Sequence, residues 1–253
     1  MPEVKPGDTI VVWFSCGAAS AVTAKKTLEI YGETCNIRVV NNPVMEEDSD
    51  NRRFLGDVEA WLGVNVEIAL NPNFPSASAV EVWDKRKFMS GPMGAPCTQE
   101  LKKEARYHWE KSNKADWHVL GFTVDERKRY DRFVISERPN VLPVLIDLNI
   151  TKDDCYKIII DAGLELPRVY HMGYPNANCI GCVKATSPTY WNHVRKQHPS
   201  VYAERAEQSR RIGARLVRHK GTRLFLDELP KDAKGYSMKS MNIDCGIFCE
   251  EGE

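Results

Sequence analysis

Short β-branched runs interleaved with helix-like segments fill the first two-thirds of the sequence, and this alternation limits the fold more than any other feature. The runs are residues 9–15 (TIVVWFS), 36–41 (NIRVVN), 64–69 (VNVEIA), 116–121 (DWHVLG) and the weaker 141–146 (VLPVLI). Helix-like stretches cover about 18–30, 50–62, 77–88, 98–112 and 151–162. Pro143 assigns the last strand to an edge or a terminus, because proline cannot donate to a sheet ladder. Thr151 followed by Asp153 and Asp154 marks a helix start, with acidic groups near the positive end of the helix dipole. Such alternation predicts an α/β fold, a doubly wound, Rossmann-like and mostly parallel sheet covered on both faces. Ligands of such sheets sit beyond the C-terminal ends of the strands.

The texture changes near residue 164. LELPRVYHMGYPNANCIGCVKATSP is rich in Pro, Gly and Asn and reads as an irregular loop. Helical stretches at about 187–197 and 200–213 follow, interrupted at His198-Pro199, then a β-like piece at 214–226 and the tail KGYSMKSMNIDCGIFCEEGE. The expected division is an α/β domain over 1–163 and a cysteine-bearing C-terminal region over 164–253.

Composition narrows the partners and the compartment. With 253 residues, 42% of them hydrophobic, the chain can bury a sizeable core. Thirty-five basic residues balance thirty-five acidic ones, so any polyanion must be met by a local patch. The start MPEVKPGDTI lacks the basic and apolar regions of a signal peptide, and no window approaches the ~20 apolar residues of a membrane span. The expectation is a cytoplasmic protein with no membrane partner. In a reducing compartment, eight cysteines are better read as metal ligands or reactive thiols than as a disulfide framework.

The first strand runs into Ser15, Cys16, Gly17, Ala18, Ala19 and Ser20. Large side chains there would keep a ligand from the backbone, whereas these leave the peptide N–H groups open to an anion. SCGAAS has neither the P-loop pattern nor the GxGxxG spacing, so a plain strand–helix turn is the competing reading.

Cysteines give a second signal. Cys179 and Cys182 form a CxxC in NCIGCVK, Cys97 follows a proline in GAPCTQELKK, and the tail adds Cys245 and Cys249. One CxxC is structural, redox-active or half of a metal site; four thiolates hold zinc or an iron–sulfur cluster, and spacing alone does not choose. Cys35 and Cys155 read as small buried packing groups. Basic residues gather at Lys102, Lys103 and Arg106, and again at Arg127, Lys128, Arg129 and Arg132. Both runs also carry acids, as a solvated, self-paired face would.

Together these segments resemble the phosphoadenosine phosphosulfate (PAPS) reductase family of the adenine nucleotide α-hydrolase superfamily, over nearly the whole chain. SCGAAS is similar to the superfamily's SGGxxS pyrophosphate loop, with Cys16 in place of a glycine. NNPVMEEDSDNRRF, with Asn42 and Glu46, is similar to the segment whose acid and following helix wall the nucleotide site. PCTQELKK, GFTVDERKR and LPRVYHMGYPNANCIGCVKA are similar to the family's Cys-then-Lys segment, its Glu-x-Arg stretch and its CxxC loop. DCGIFC is similar to the ECGxH ending, with Phe248 in place of the histidine and Cys249 added. Where cluster-bearing members have adjacent cysteines, this chain has Pro96-Cys97.

The resemblance implies an adenine nucleotide at residues 15–20 with Asn42 and Glu46, and reductive cleavage of a sulfonucleotide, PAPS or its 3′-unphosphorylated relative APS, to sulfite. A thiolate attacks the sulfur and the nucleotide monophosphate leaves. Lys102, Arg127 and Arg129 would hold the phosphosulfate and stabilise charge on the leaving phosphate, with Cys245 as the candidate nucleophile. A [4Fe–4S] cluster would be held by Cys97, Cys179, Cys182 and Cys249 or Cys245, with zinc as the alternative metal. Thioredoxin would be a suitable thiol reductant, and a homo-oligomer is compatible with the family. Iron–sulfur sulfurtransferases of the same superfamily are the alternative: they would use ATP with magnesium to thiolate a nucleic acid or a small molecule. A non-catalytic, zinc-stabilised nucleotide-binding module is the third reading. Ala19, where many ATP-using members carry Asp, leans toward the reductase.

Overall fold

The computed structural model describes residues 3–92 and 94–238. In chain order its first elements are β1 (Thr9–Trp13), α1 (Ala18–Tyr31), β2 (Asn36–Asn41), α2 (Asp50–Leu62), β3 (Val66–Ile68) and α3 (Ala79–Arg86). A helical stretch follows as α4 (Pro96–Thr98), a π-helical segment (Gln99–Glu104) and α5 (Ala105–Ser112). Next come β4 (Trp117–Val119), α6 (Arg127–Ser136), β5 (Val141–Leu142), α7 (Val144–Asp147) and α8 (Lys152–Asp161). The remainder holds α9 (Arg168–His171), α10 (Pro188–Gln197), α11 (Pro199–Ile212), β6 (Val217–His219) and β7 (Thr222–Leu224).

The chain folds as two compact units that do not follow a single cut. One comprises residues 1–43, 49–72 and 105–168; the other comprises 44–48, 73–104 and 169–253. The division expected at residue 163 follows sequence texture, whereas packing draws 44–48 and 73–104 in with the C-terminal region.

In the first unit, β3, β2, β1, β4 and β5 form a parallel sheet in that order. The order reverses beside β1, so the crevice at the C-terminal ends of β1 and β4 is the place where such sheets take ligands. Every residue of β1 is buried, with Ile10, Val11 and Val12 wholly so. A strand covered on both faces needs this continuous apolar run. Helix α1 packs against α7 and α8, and the residues it buries include the small Ala18, Ala21, Val22 and Ala24. β5 is an edge strand that ends just before Pro143, as the proline requires. Thr151 and Asp154 form a reciprocal capping box at the start of α8: the Thr151 hydroxyl accepts the Asp154 amide at 3.1 Å, and the Asp154 carboxylate accepts the Thr151 amide at 3.0 Å.

The second unit packs around Trp83, Met89, Trp191 and Leu226, none more than 1% exposed. Fully burying a large apolar side chain contributes roughly 1.5–3 kcal/mol, which offsets part of the conformational entropy that ordering this unit costs. α10 and α11 pack together on either side of His198, and β6 and β7 pair as an antiparallel hairpin. Cys155 is wholly buried, as its sequence context suggests. Cys35 is not: it is only partly covered, its thiol 3.5 Å from the Lys5 carbonyl, because it precedes β2 at a chain turn. Among the described residues, no helix is long and apolar enough to cross a membrane.

Candidate functional site

The opening turn lies at the C-terminal end of β1. Phe14 continues the ladder by donating its amide to the Val40 carbonyl at 2.8 Å, after which Cys16 turns the chain in the left-handed region, φ 56°. A non-glycine residue there is strained, and a glycine would relieve that strain. The Cys16 thiol is buried and receives the Asn41 amide nitrogen at 3.6 Å. Ser20 fastens the turn: its hydroxyl donates to the Gly17 carbonyl at 2.9 Å and accepts the Ser15 amide at 3.2 Å.

Gly17, which has no side chain to cap the helix, is the N-cap of α1. The start of a fourteen-residue helix, with its positive dipole end, thus closes the turn. Gly121, just past β4, comes against this first turn: a Cβ on it would lie 2.9 Å from the Ser20 amide nitrogen and 3.2 Å from the Ala19 carbonyl carbon. Sequence inspection does not single Gly121 out, although its place at a strand end next to the turn is the signal for close backbone approach.

Arg127 and Arg129 open α6 on the same edge of the sheet. Arg127 is exposed, whereas Arg129 is ion-paired with Glu126 at 2.6 Å and lies over the Phe122 ring, 5.1 Å from its centroid. Asn42 is buried at the end of β2 and donates to the Ala69 carbonyl at 3.1 Å, tying β2 to the residue after β3. The structure therefore gathers residues 15–20, Asn42, Arg127 and Arg129 into one unit.

Lys102 and Glu46 belong to the other unit. Lys102 sits in the π-helical segment, 4% exposed, with its ammonium 3.2 Å from Glu47. Single π turns often mark functional sites, and this one follows directly on Cys97. The Glu46 carboxylate caps α3: it accepts the amides of Ala79 at 2.8 Å and Val80 at 3.2 Å and the Ser78 hydroxyl at 2.8 Å. Its backbone carbonyl accepts the Ile180 amide at 2.8 Å, which anchors the CxxC loop to the same short segment.

The CxxC loop is fixed from beneath. Tyr190, 2% exposed, accepts the Cys182 amide at 2.8 Å and donates to the Cys179 carbonyl at 3.4 Å. Burial first, and then the Cys182 thiol, push the Tyr190 phenol well above its ordinary range, so it stays a neutral donor. Gly181 turns between the two cysteines at φ 71°. Arg205 lies under this loop; burial holds its pKa below that of a free guanidinium, against the opposite pull of Glu46 and Cys179. Sequence inspection missed Arg205 and Tyr190, because helix periodicity shows only that they face a core.

Cys97 and Cys182 are buried in the second unit's core cluster, and Cys179 packs against it. Three thiols from two distant segments fit a thiolate-bound group in kind. Among the described residues, no set of three or more His, Cys, Asp or Glu side chains converges as a metal site, so these three do not complete a centre by themselves. Cys245 and Cys249, expected as nucleophile or fourth ligand, lie outside the described residues.

No family model matches the chain, and no curated protein matches it. Among solved structures it is similar to the U34-tRNA thiolase NcsA from Methanococcus maripaludis with its [4Fe–4S] cluster. That likeness is at 11% identity with a TM-score of 0.44, over 83% of this chain and 73% of the other. So distant a likeness says nothing about activity.

Proposed function

We propose that the protein is an adenine-nucleotide-dependent enzyme of sulfur chemistry, and that its reaction is ATP-dependent sulfur transfer. The observation that carries the nucleotide half is the place of the α1 N-terminus: it lies at the C-terminal end of the central strand, with a glycine at its N-cap and the Gly121 backbone against its first turn. Backbone amides of Gly17 to Ser20 would take the phosphates there. The sulfur half rests on Cys97, Cys179 and Cys182 and on the motif resemblance. With Cys245 or Cys249 these would hold a [4Fe–4S] cluster or zinc; when bound, a cluster supplies a soft metal able to bind sulfur.

Support for ATP over a sulfonucleotide comes from two of the three cations. Of the groups assigned to a phosphosulfate, Lys102 is ion-paired with Glu47 and Arg129 with Glu126. A phosphosulfate arrives without a metal and needs the protein's own charge, whereas ATP brings magnesium to neutralise its leaving group. In this chemistry an acceptor oxygen attacks the α-phosphorus and the P–O bond to pyrophosphate breaks, the electron pair leaving with pyrophosphate. A sulfur nucleophile then attacks the activated carbon and AMP departs. The acceptor is a nucleic-acid base or a small carbonyl compound. Ala19, where ATP-using members carry Asp, keeps sulfonucleotide reduction as the second reading.

The test is product formation by anaerobically prepared protein. Pyrophosphate and AMP should form from ATP and magnesium when acceptor and sulfide are present. Sulfite from PAPS or APS, with nothing from ATP, would establish the reductase instead. Neither product, together with stoichiometric zinc, would leave a binding module.

A further inference from the structure

Arg205, on α11, is 2% exposed. A buried guanidinium is costly unless an anion or a full set of acceptors meets it. Its Nη1 donates to the Gln208 side-chain oxygen at 2.6 Å, a neutral acceptor, and its buried Nε has no partner. Gln208 is held in turn, its amide nitrogen donating to the Val80 carbonyl at 3.1 Å. The cation lies over the Trp83 ring, 4.5 Å from its centroid, and Trp83 is itself 1% exposed with a partnerless Nε1–H. Glu46, the acid that acts on Arg205 most strongly, has its carboxylate engaged in capping α3.

Two buried N–H donors are therefore without acceptors in one place, one of them part of a full positive charge. The CxxC backbone passes beside them: a Cβ on Gly181 would lie 3.7 Å from Arg205 Nε and 3.2 Å from Val201. At φ 71° this position favours glycine on conformational grounds, and the missing side chain brings the loop close to the guanidinium.

We propose that Arg205, positioned by Gln208 and Trp83, is the buried counter-charge of the Cys179–Cys182 loop, its unpartnered Nε–H lying against the loop at Gly181. It is a positioning residue, since it acts through the thiolates. The proposal rests on the reading of Cys179 and Cys182 as the sulfur-bearing thiols, but not on which metal they hold. A guanidinium in this place compensates charge that two or more clustered thiolates would otherwise leave unbalanced in the core.

The test compares full-length wild type, Arg205→Met and Arg205→Lys, reduced and stripped of metal. Each is treated at one pH with iodoacetate and, separately, with iodoacetamide, and modification of Cys179 is followed by peptide mass spectrometry. Both reagents need the same thiolate, so their rate ratio reports local charge rather than thiol ionisation. Loss of the cation should lower the iodoacetate preference roughly threefold or more in Arg205→Met, and Arg205→Lys should retain most of it. An unchanged ratio in Arg205→Met with wild-type circular dichroism would overturn the proposal. Should Arg205→Met not fold, Arg205→Gln, neutral but polar, decides: a lowered iodoacetate preference supports the charge role and an unchanged one refutes it. Anaerobic reconstitution with ferrous iron and sulfide, run on the wild type in parallel, reads the cluster assignment separately. No iron uptake with a charge-sensitive ratio would remove the cluster and keep Arg205; uptake with an insensitive ratio would do the reverse.

Discussion

Gly121 and Ser20 stand so close that a Cβ on the first would lie 2.9 Å from the amide nitrogen of the second. The other near atoms, Ser20 Cα at 3.1 Å and the Ala19 carbonyl carbon at 3.2 Å, are backbone too, so no side chain can swing away to make room. Gly121→Ala must push the first turn of α1 off the strand end. The expected outcome is loss of adenine-nucleotide binding with a stability cost of about 1–3 kcal/mol. Gly56, in the middle of α2 with nothing within 4 Å of a built Cβ, is the control: Gly56→Ala should gain roughly 0.5–1 kcal/mol and leave binding alone. Calorimetric titration with ATP and PAPS beside urea melts separates the two; equal nucleotide affinity in both variants would show that the turn holds no phosphate.

Tyr190→Phe removes the hydroxyl that serves both ends of the CxxC. The Cys182 amide loses its acceptor in the buried core, and the partly buried Cys179 carbonyl loses a donor. Leaving such groups unsatisfied costs about 1–3 kcal/mol, and the loop should loosen before the whole unit does. Faster alkylation of Cys182 in native buffer, at a rate that exceeds the change in global unfolding, is the expected signature. Alkylation that merely tracks global stability would mean that the phenol supports the fold and not the loop.

What the sequence disclosed and what it hid divide along physical lines. Strand periodicity and turn residues are local, so all five strands of the sheet were legible, as was the edge placement that Pro143 imposes. Helix α6 was not: RKRYDRFVIS buries only Tyr130 and Phe133, and four cations in its first six residues mask that single i, i+3 pair as a solvated charge run. The membership of residues 44–48 and 73–104 in the second unit is set by partners far along the chain, such as the Glu46 carbonyl that receives the Ile180 amide. Arg205 was hidden for the same reason. Its helical face is visible in sequence, but the glycine that admits it to the cysteine loop lies twenty-four residues earlier.

Thr151→Ala tests the capping box that the structure shows at the helix start that sequence inspection located. The hydroxyl accepts the Asp154 amide, and its loss should destabilise α8 by about 1 kcal/mol. Thr151→Ser keeps the acceptor and should cost much less. Hydrogen exchange of the first-turn amides of α8 reports the effect locally, and equal protection in the two variants would mean that the cap contributes nothing.

His118 sets a pH dependence whose sign is fixed by its surroundings. It is 1% exposed, in the middle of β4, with the Trp13 indole N–H donating to its Nδ1 at 3.1 Å. Burial first, then the charges of Arg138 and Arg106, push its pKa down from 6.5 to about 3. Below pH 6.5 the unfolded chain takes up a proton that the folded chain refuses until about pH 3, so the unfolded state binds more protons across that window. The stabilisation is therefore fully present above pH 6.5 and is lost progressively as pH falls toward 3. A one-proton difference between the two states changes stability by about 1.4 kcal/mol for every pH unit it spans, so the whole effect is on the order of a few kcal/mol. Asp50, held to about 2 by its hydrogen bonds to Arg53, acts only below pH 3.8 and does not overlap the upper part of the window. Urea unfolding at steps between pH 7.5 and pH 4.5 should show stability falling with acid in the wild type. His118→Gln, which cannot take up a proton in either state, should be less stable at neutral pH and show a visibly shallower slope, even though His193, also depressed by burial, continues to contribute in the same direction. Parallel slopes for the two proteins would mean that His118 is protonated in the folded chain, which the Trp13 hydrogen bond to Nδ1 forbids.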